Sequence, residues 1–183
     1  MERLIDKEGI ESVFVNRDYT PFSRTRDAAI AKVCEERRVA FQCCSDVLLH
    51  EPGDILKDDG RPYTIFSHFF RKARSVPVMP VNAARVNNLS NLHIASEPHE
   101  VLDYDLQDRN AQRFIHGGRS RALEVLAGLS QFAQYKTERE YPAKSATTRL
   151  SAHNKFGTCS IREVYHSVVN QLGGEHQLAA ELF

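Results

Sequence analysis

At 183 residues the chain is long enough for one ordinary domain, or for a small domain and part of another. Its 24 Lys and Arg balance 24 Asp and Glu, so no global basic field argues for nucleic-acid binding, and any DNA contact must come from a local patch. No stretch approaches the roughly 18 apolar residues a membrane span needs, and residues 1–7 lack a signal-peptide core, so the sequence predicts a cytoplasmic protein with no membrane partner. Cys34, Cys43, Cys44 and Cys159 form no C-x-x-C pair, and the histidines form no i, i+4 pair beside a carboxylate. The expectation is no metal, with the cysteines buried as small apolar residues in a reducing compartment.

In chain order, Ser12, Val13, Phe14 and Val15 form a short β-favouring run, followed by turn residues ending in Pro21, which suits a helix start. Residues 23–38 place Ala29, Ile30, Val33 and Arg37 on one helical face, the Arg37 stem covering apolar surface. Residues 39–44 read as a second strand, and the strand, helix, strand order predicts a βαβ unit with a parallel pair. Two strands make an incomplete sheet. Residues 58–62 are a turn cluster, and residues 63–73 are expected to form a helix packed against the sheet edge. From Ser75 to about His116 periodicity is weak, which suggests an interdomain connection.

After Gly117 and Gly118 the pattern becomes helical. Ala122, Val125, Leu126, Leu129, Phe132 and Ala133 follow i, i+3, i+4, i+7 spacing as one buried stripe. Residues 139–150 are a polar loop broken by Pro142. Ser160 and Glu163 form a capping-box signature for a helix with Ile161, Val164, Tyr165, Val168, Val169 and Leu172 on one face, stopped by Gly173 and Gly174. Residues 177–183 begin a further helix that is expected to run to the last residue. The hydroxyl-rich stretch around Tyr135 and residues 147–151, between helices, has the donor chemistry of an anion cradle, although on composition alone such loops are more often capping and turn chemistry.

The order Gly117-Gly118, a helix, Tyr135 with Arg139 four residues later, Thr147-Thr148-Arg149-Leu150-Ser151, then Lys155-Phe156-Gly157, Ser160 and Arg162 resembles the start of the flavin domain of the photolyase/cryptochrome family. Residues 16–21, Arg26-Asp27, Asp46 with Leu48-Leu49, and residues 60–66 resemble the later part of that family's amino-terminal α/β domain. The resemblance implies an α/β fold followed by all-α. Residues 1–75 would be a partial Rossmann-like domain, 76–116 a linker, and 117–183 the first helices of the FAD-binding domain. It also implies that Tyr135, Thr147, Thr148, Arg149, Leu150 and Ser151 hold FAD, Leu150 through its backbone, while the Arg149 side chain can point elsewhere. Arg139 and Glu181 fall at positions on the DNA and lesion side. A salt bridge from Arg139 to Glu138 or Glu140 is the plain structural alternative.

The implied activity is that of a deoxyribodipyrimidine photo-lyase, an FAD-dependent enzyme that splits pyrimidine dimers in damaged DNA by light-driven electron transfer, with no catalytic side chain acting as nucleophile or base. The family's opening strand and the tryptophans of its electron-transfer chain are missing, and the sequence has no tryptophan. The expectation is therefore a partial chain, inactive and marginally stable alone, that holds FAD weakly or not at all and whose missing half a second chain could supply. The antenna chromophore is left open. A cryptochrome-like blue-light receptor, and a non-catalytic remnant or split-gene product, are the alternatives.

Overall fold

A computed structural model describes residues 1–81 and 115–183. The parallel pair is present: β1 (Ser12–Asn16) and β2 (Ala40–Cys44) run in register from Ser12 opposite Ala40 to Asn16 opposite Cys44. The connecting helix α2 (Pro21–Glu36) starts as expected, with Pro21 in its first turn and the Thr20 hydroxyl accepting from the Ser23 N–H at 3.2 Å.

The buried face of α2 differs from the expected one. Ser23, Asp27 and Cys34 are buried, Ile30 and Val33 are half-buried, and Ala29 is exposed. Polar residues are tolerated inside because each has a partner: Ser23 Oγ donates to Asp18 Oδ2 at 2.9 Å, and Arg26 Nε donates to Asp27 Oδ1 at 2.8 Å. An unforeseen helix, α1 (Glu2–Glu8), precedes the first strand and ends at Gly9 in the left-handed region. Arg37 donates to Asp6 at 3.0 Å and to Glu2 at 2.9 Å, so it clips α1 to the end of α2.

Residues 57–61 turn tightly around Gly60, whose φ of 77° favours glycine, and lead into α3 (Phe66–Ala73). The expectation placed this helix at the sheet edge. Its side chains instead reach the carboxy-terminal segment around α8: Phe70 meets Phe183 edge-on at 5.3 Å, and Arg74 pairs with Glu175. The predicted linker falls mostly in residues 82–114, outside the described residues.

The second half comprises α4 (Arg119–Ala127), a 3-10 turn (Leu129–Phe132), α5 (Tyr135–Glu138), α6 (Leu150–Lys155), α7 (Ile161–Leu172) and α8 (Gln177–Ala180). They enclose a core of Ala122, Leu126, Leu129, Phe132, Leu150, Cys159, Val164, Val168, Leu178 and Ala179. The expected single stripe is therefore split. The helix ends at Gly128, the tight turn swings Leu129 and Phe132 into the core, and Ala133 is left exposed. The capping box of α7 is formed in both directions, with the Glu163 N–H donating to Ser160 Oγ at 3.2 Å and the Ser160 N–H to Glu163 Oε2 at 3.4 Å.

The final helix is shorter than expected. It closes at Ala180, after which Leu182 packs on the core and Phe183 turns toward α3. Of the cysteines, Cys34 and Cys159 are buried and Cys43 partly so, but Cys44 is exposed, because alternation on a strand turns adjacent side chains to opposite faces.

Candidate functional site

The predicted site residues fall into two environments built on the helical core. In the first, α5 presents Tyr135, half-buried against the core, and Arg139 one turn on. The Arg139 guanidinium lies 5.4 Å from the centre of the Tyr135 ring, a cation–π arrangement. It pairs with Glu181, just after α8, and with Glu140 at 3.3 Å. The Gln177 amide donates to the same Glu181 oxygen at 2.8 Å. The Gln177 hydrogen bond, aided by Arg139, holds the Glu181 carboxyl below the usual carboxylate range, and Glu181 in turn raises Arg139. The two residues assigned to the DNA side are thus each other's partner. Glu140 is a second partner, as the plain alternative foresaw.

The second environment surrounds the start of α6. Arg149 adopts φ 54°, left-handed for a residue with a Cβ, which costs about 1–2 kcal/mol and persists where the surroundings enforce it. This kink sends Leu150 into the core while Thr147 and Ser151 remain exposed and Thr148 is half-buried. Thr148 Oγ1 accepts from the Leu150 N–H at a long 3.4 Å. Thr148 and Arg149 line a cleft of about 460 Å³ with Ile115, His116, Arg121, Glu124, Val125 and His153, Arg121 donating to Glu124 at 2.7 Å.

His153 is only 5% exposed, and its Nδ1 lies 2.8 Å from the Thr158 hydroxyl, which also donates to the His153 carbonyl at 3.3 Å. The hydroxyl can then accept from an Nδ1–H. Tyr135 and Ser151 are not in the wall of this cleft. The Arg121 and His153 contribution was not foreseen. Arg121 lies far from Arg149 in sequence, and only packing of α4 against α6 brings them together.

Among the described residues no group of three or more His, Cys, Asp or Glu is placed to hold a metal, and no helix is long and apolar enough to cross a membrane.

Residues 1–85 match the family model described as DNA photolyase. The deoxyribodipyrimidine photo-lyase of Alkalihalophilus pseudofirmus is 28% identical over 88% of this chain and 35% of its own length. The chain is thus similar to members of the photolyase/cryptochrome family, the family model matching its first 85 residues. Cryptochromes also occur among its relatives.

A class III photolyase from Agrobacterium tumefaciens, at 23% identity, shares the fold with a TM-score of 0.82 over 99% of this chain and 41% of that one. An archaeal photolyase from Sulfolobus tokodaii, solved with two FAD molecules, matches at 27% identity and a TM-score of 0.67, over 99% of this chain and 39% of that one. The fold is therefore a partial photolyase α/β domain, here a two-stranded parallel sheet with helices, followed by helices. The chain spans about a third of the length of that curated photolyase. The donor set at α6, hydroxyls beside a guanidinium at a kinked helix start, fits the anionic diphosphate of the family's cofactor.

Proposed function

We propose that this chain forms part of a light-dependent, FAD-containing deoxyribodipyrimidine photolyase that repairs cyclobutane pyrimidine dimers in damaged DNA in the cytoplasm. The observation that carries this reading is the convergence of Tyr135, Arg139 and Glu181 from α5 and the end of α8 onto one cluster, on the same core that Leu150 enters from the hydroxyl-rich start of α6. FAD, when bound, supplies the light-driven electron transfer. Thr147, Thr148 and Ser151 donate hydroxyls to its diphosphate and ribityl chain, and Leu150 donates its N–H, now spent on the long bond to Thr148. Arg149 adds positive charge from the cleft side, and Tyr135 offers a half-buried ring as a wall.

Arg139 exchanges its Glu181 and Glu140 partners for a DNA phosphate next to the lesion. In this reading residues 1–75 belong to the α/β domain, 76–116 to the linker, and 117–183 to the FAD domain. Polypeptide outside these residues, continuous or in a second chain, completes the flavin pocket.

The test is loss of thymine dimers from an oligonucleotide in light but not in darkness, using the protein that contains this chain. Arg139→Ala is expected to weaken binding to damaged DNA and reduce the salt slope by about one. A protein that leaves dimers intact in light sinks the reading. The 183-residue chain alone is expected to hold FAD weakly, because a cofactor needs most of its surface enclosed. Stoichiometric flavin absorbance in the purified chain would contradict this. The second reading is a cryptochrome-like receptor, favoured by the internal pairing of Arg139, which leaves its charge already compensated. A protein of that kind would respond to blue light without repairing dimers.

A further inference from the structure

The α/β half (residues 1–81) and the helical half (residues 115–183) meet along one face of α7. Arg162, in the first turn of that helix, sends its guanidinium to the chain just past β2. Its Nη2 donates to the Ser45 carbonyl at 2.7 Å, and its Nη1 stands 3.8 Å from Asp46 Oδ1, too far for a hydrogen bond but close enough to attract. The ladder between β1 and β2 closes where the Arg17 N–H donates to the Cys44 carbonyl at 2.9 Å. Ser45 lies one residue beyond it, and its carbonyl takes its donor from α7 instead.

This contact is specific without being a strong source of stability. The Arg162 side chain is only 19% exposed, and its Nε is buried with no hydrogen-bond partner. A guanidinium in that position gives up hydration and leaves one donor unsatisfied, whereas an apolar side chain of similar length would lose neither. What the guanidinium adds is direction, because a planar group bonded to one carbonyl tolerates little displacement. The rings of His50 and Phe70 against Phe183, at 5.7 and 5.3 Å, hold the halves together but apolar contact does not fix an angle. Arg74 to Glu175 and His166 Nε2 to the Met79 carbonyl also cross between the halves, but both are exposed, so water competes for them.

We infer that Arg162 is a positioning residue, a latch that sets the angle at which the α/β half seats on the helical half and contributes little to overall stability. Halves joined by a modest interface move relative to each other by default, and a directional bond at the seam removes that freedom. The role holds whatever reaction the protein performs.

The test measures residual dipolar couplings of the backbone amides in the weakly aligned full chain, for the unmodified protein, Arg162→Met and Arg74→Met. Couplings from residues 12–44 and from residues 119–172 of the unmodified protein are expected to fit one common alignment. Arg162→Met, which keeps the length and the apolar packing, is expected to lose that common alignment while its urea midpoint stays the same or rises. Arg74→Met, which removes an exposed link across the same seam, is expected to keep it. The inference falls if the unmodified protein already needs two alignments, or if Arg162→Met keeps one. It falls equally if Arg74→Met loses the common alignment as well. An Arg162→Met protein that fails to fold or has a lower midpoint also overturns it, since the residue then supplies stability and not seating.

Discussion

Glu163 joins two devices at the start of α7, the capping box with Ser160 and an ion pair with Arg119 at the start of α4. Its carboxylate accepts from Arg119 Nη2 at 2.8 Å and Nη1 at 3.0 Å, and from the Ser160 N–H at 3.4 Å. Glu163→Gln keeps most of the shape but removes the charge. The Arg119 side chain is 59% exposed and that of Glu163 19%, so solvent screens the pair and the loss at neutral pH is expected to be about 1 kcal/mol, the upper end for exposed pairs. Glu163→Ala also removes the return half of the capping box and is expected to cost about 1.5 kcal/mol in total.

The pH dependence separates the two contributions. The hydrogen bond from Arg119, then its charge, lowers the folded Glu163 value from its ordinary 4.5. A lowered folded value means the unfolded chain takes up the proton first. The stabilisation is therefore complete above the ordinary value and is lost as pH falls through the folded one. Urea midpoints at neutral pH and in acid should show the Gln deficit shrinking in acid, while part of the Ala deficit remains. An unchanged Gln midpoint at neutral pH, or a deficit that acid leaves intact, would refute the reasoning.

Leu129→Ala, at a fully buried position in the 3-10 turn, is expected to cost about 3 kcal/mol by leaving a cavity between the turn and α7, read as a lower denaturation midpoint. Burial and the hydrogen bond to Glu51 push the Tyr19 phenol up to about 12. Glu51→Gln should move its ultraviolet titration back toward the ordinary value of 10. An unmoved titration would show that burial alone sets it.

Local chemistry is legible in the amino-acid sequence alone. Thr20 and Pro21 open α2, Ser160 and Glu163 open α7, and β1 stands where β-branched and aromatic residues cluster, because capping and strand preference depend on neighbours a few residues away. The spacing of Tyr135, Arg139 and residues 147–151 likewise carries the resemblance from which the candidate site was drawn. Periodicity is less reliable where it meets a breaker or a polar residue with a hidden partner. Gly128 divides the stripe ending at Ala133, and the Arg26 pair lets Asp27 take the interior in place of Ala29.

Tertiary packing decided the rest, since it joins residues that no local rule connects. It paired Arg139 with Glu181, placed Arg121 and His153 in one cleft wall with Arg149, and brought Arg162 to the Ser45 carbonyl. The sequence by itself determined the helix starts at Pro21 and Ile161 and the donor types along the chain. Which of those donors face one another depends on how the helices bury their apolar stripes, and that is settled only when the core forms.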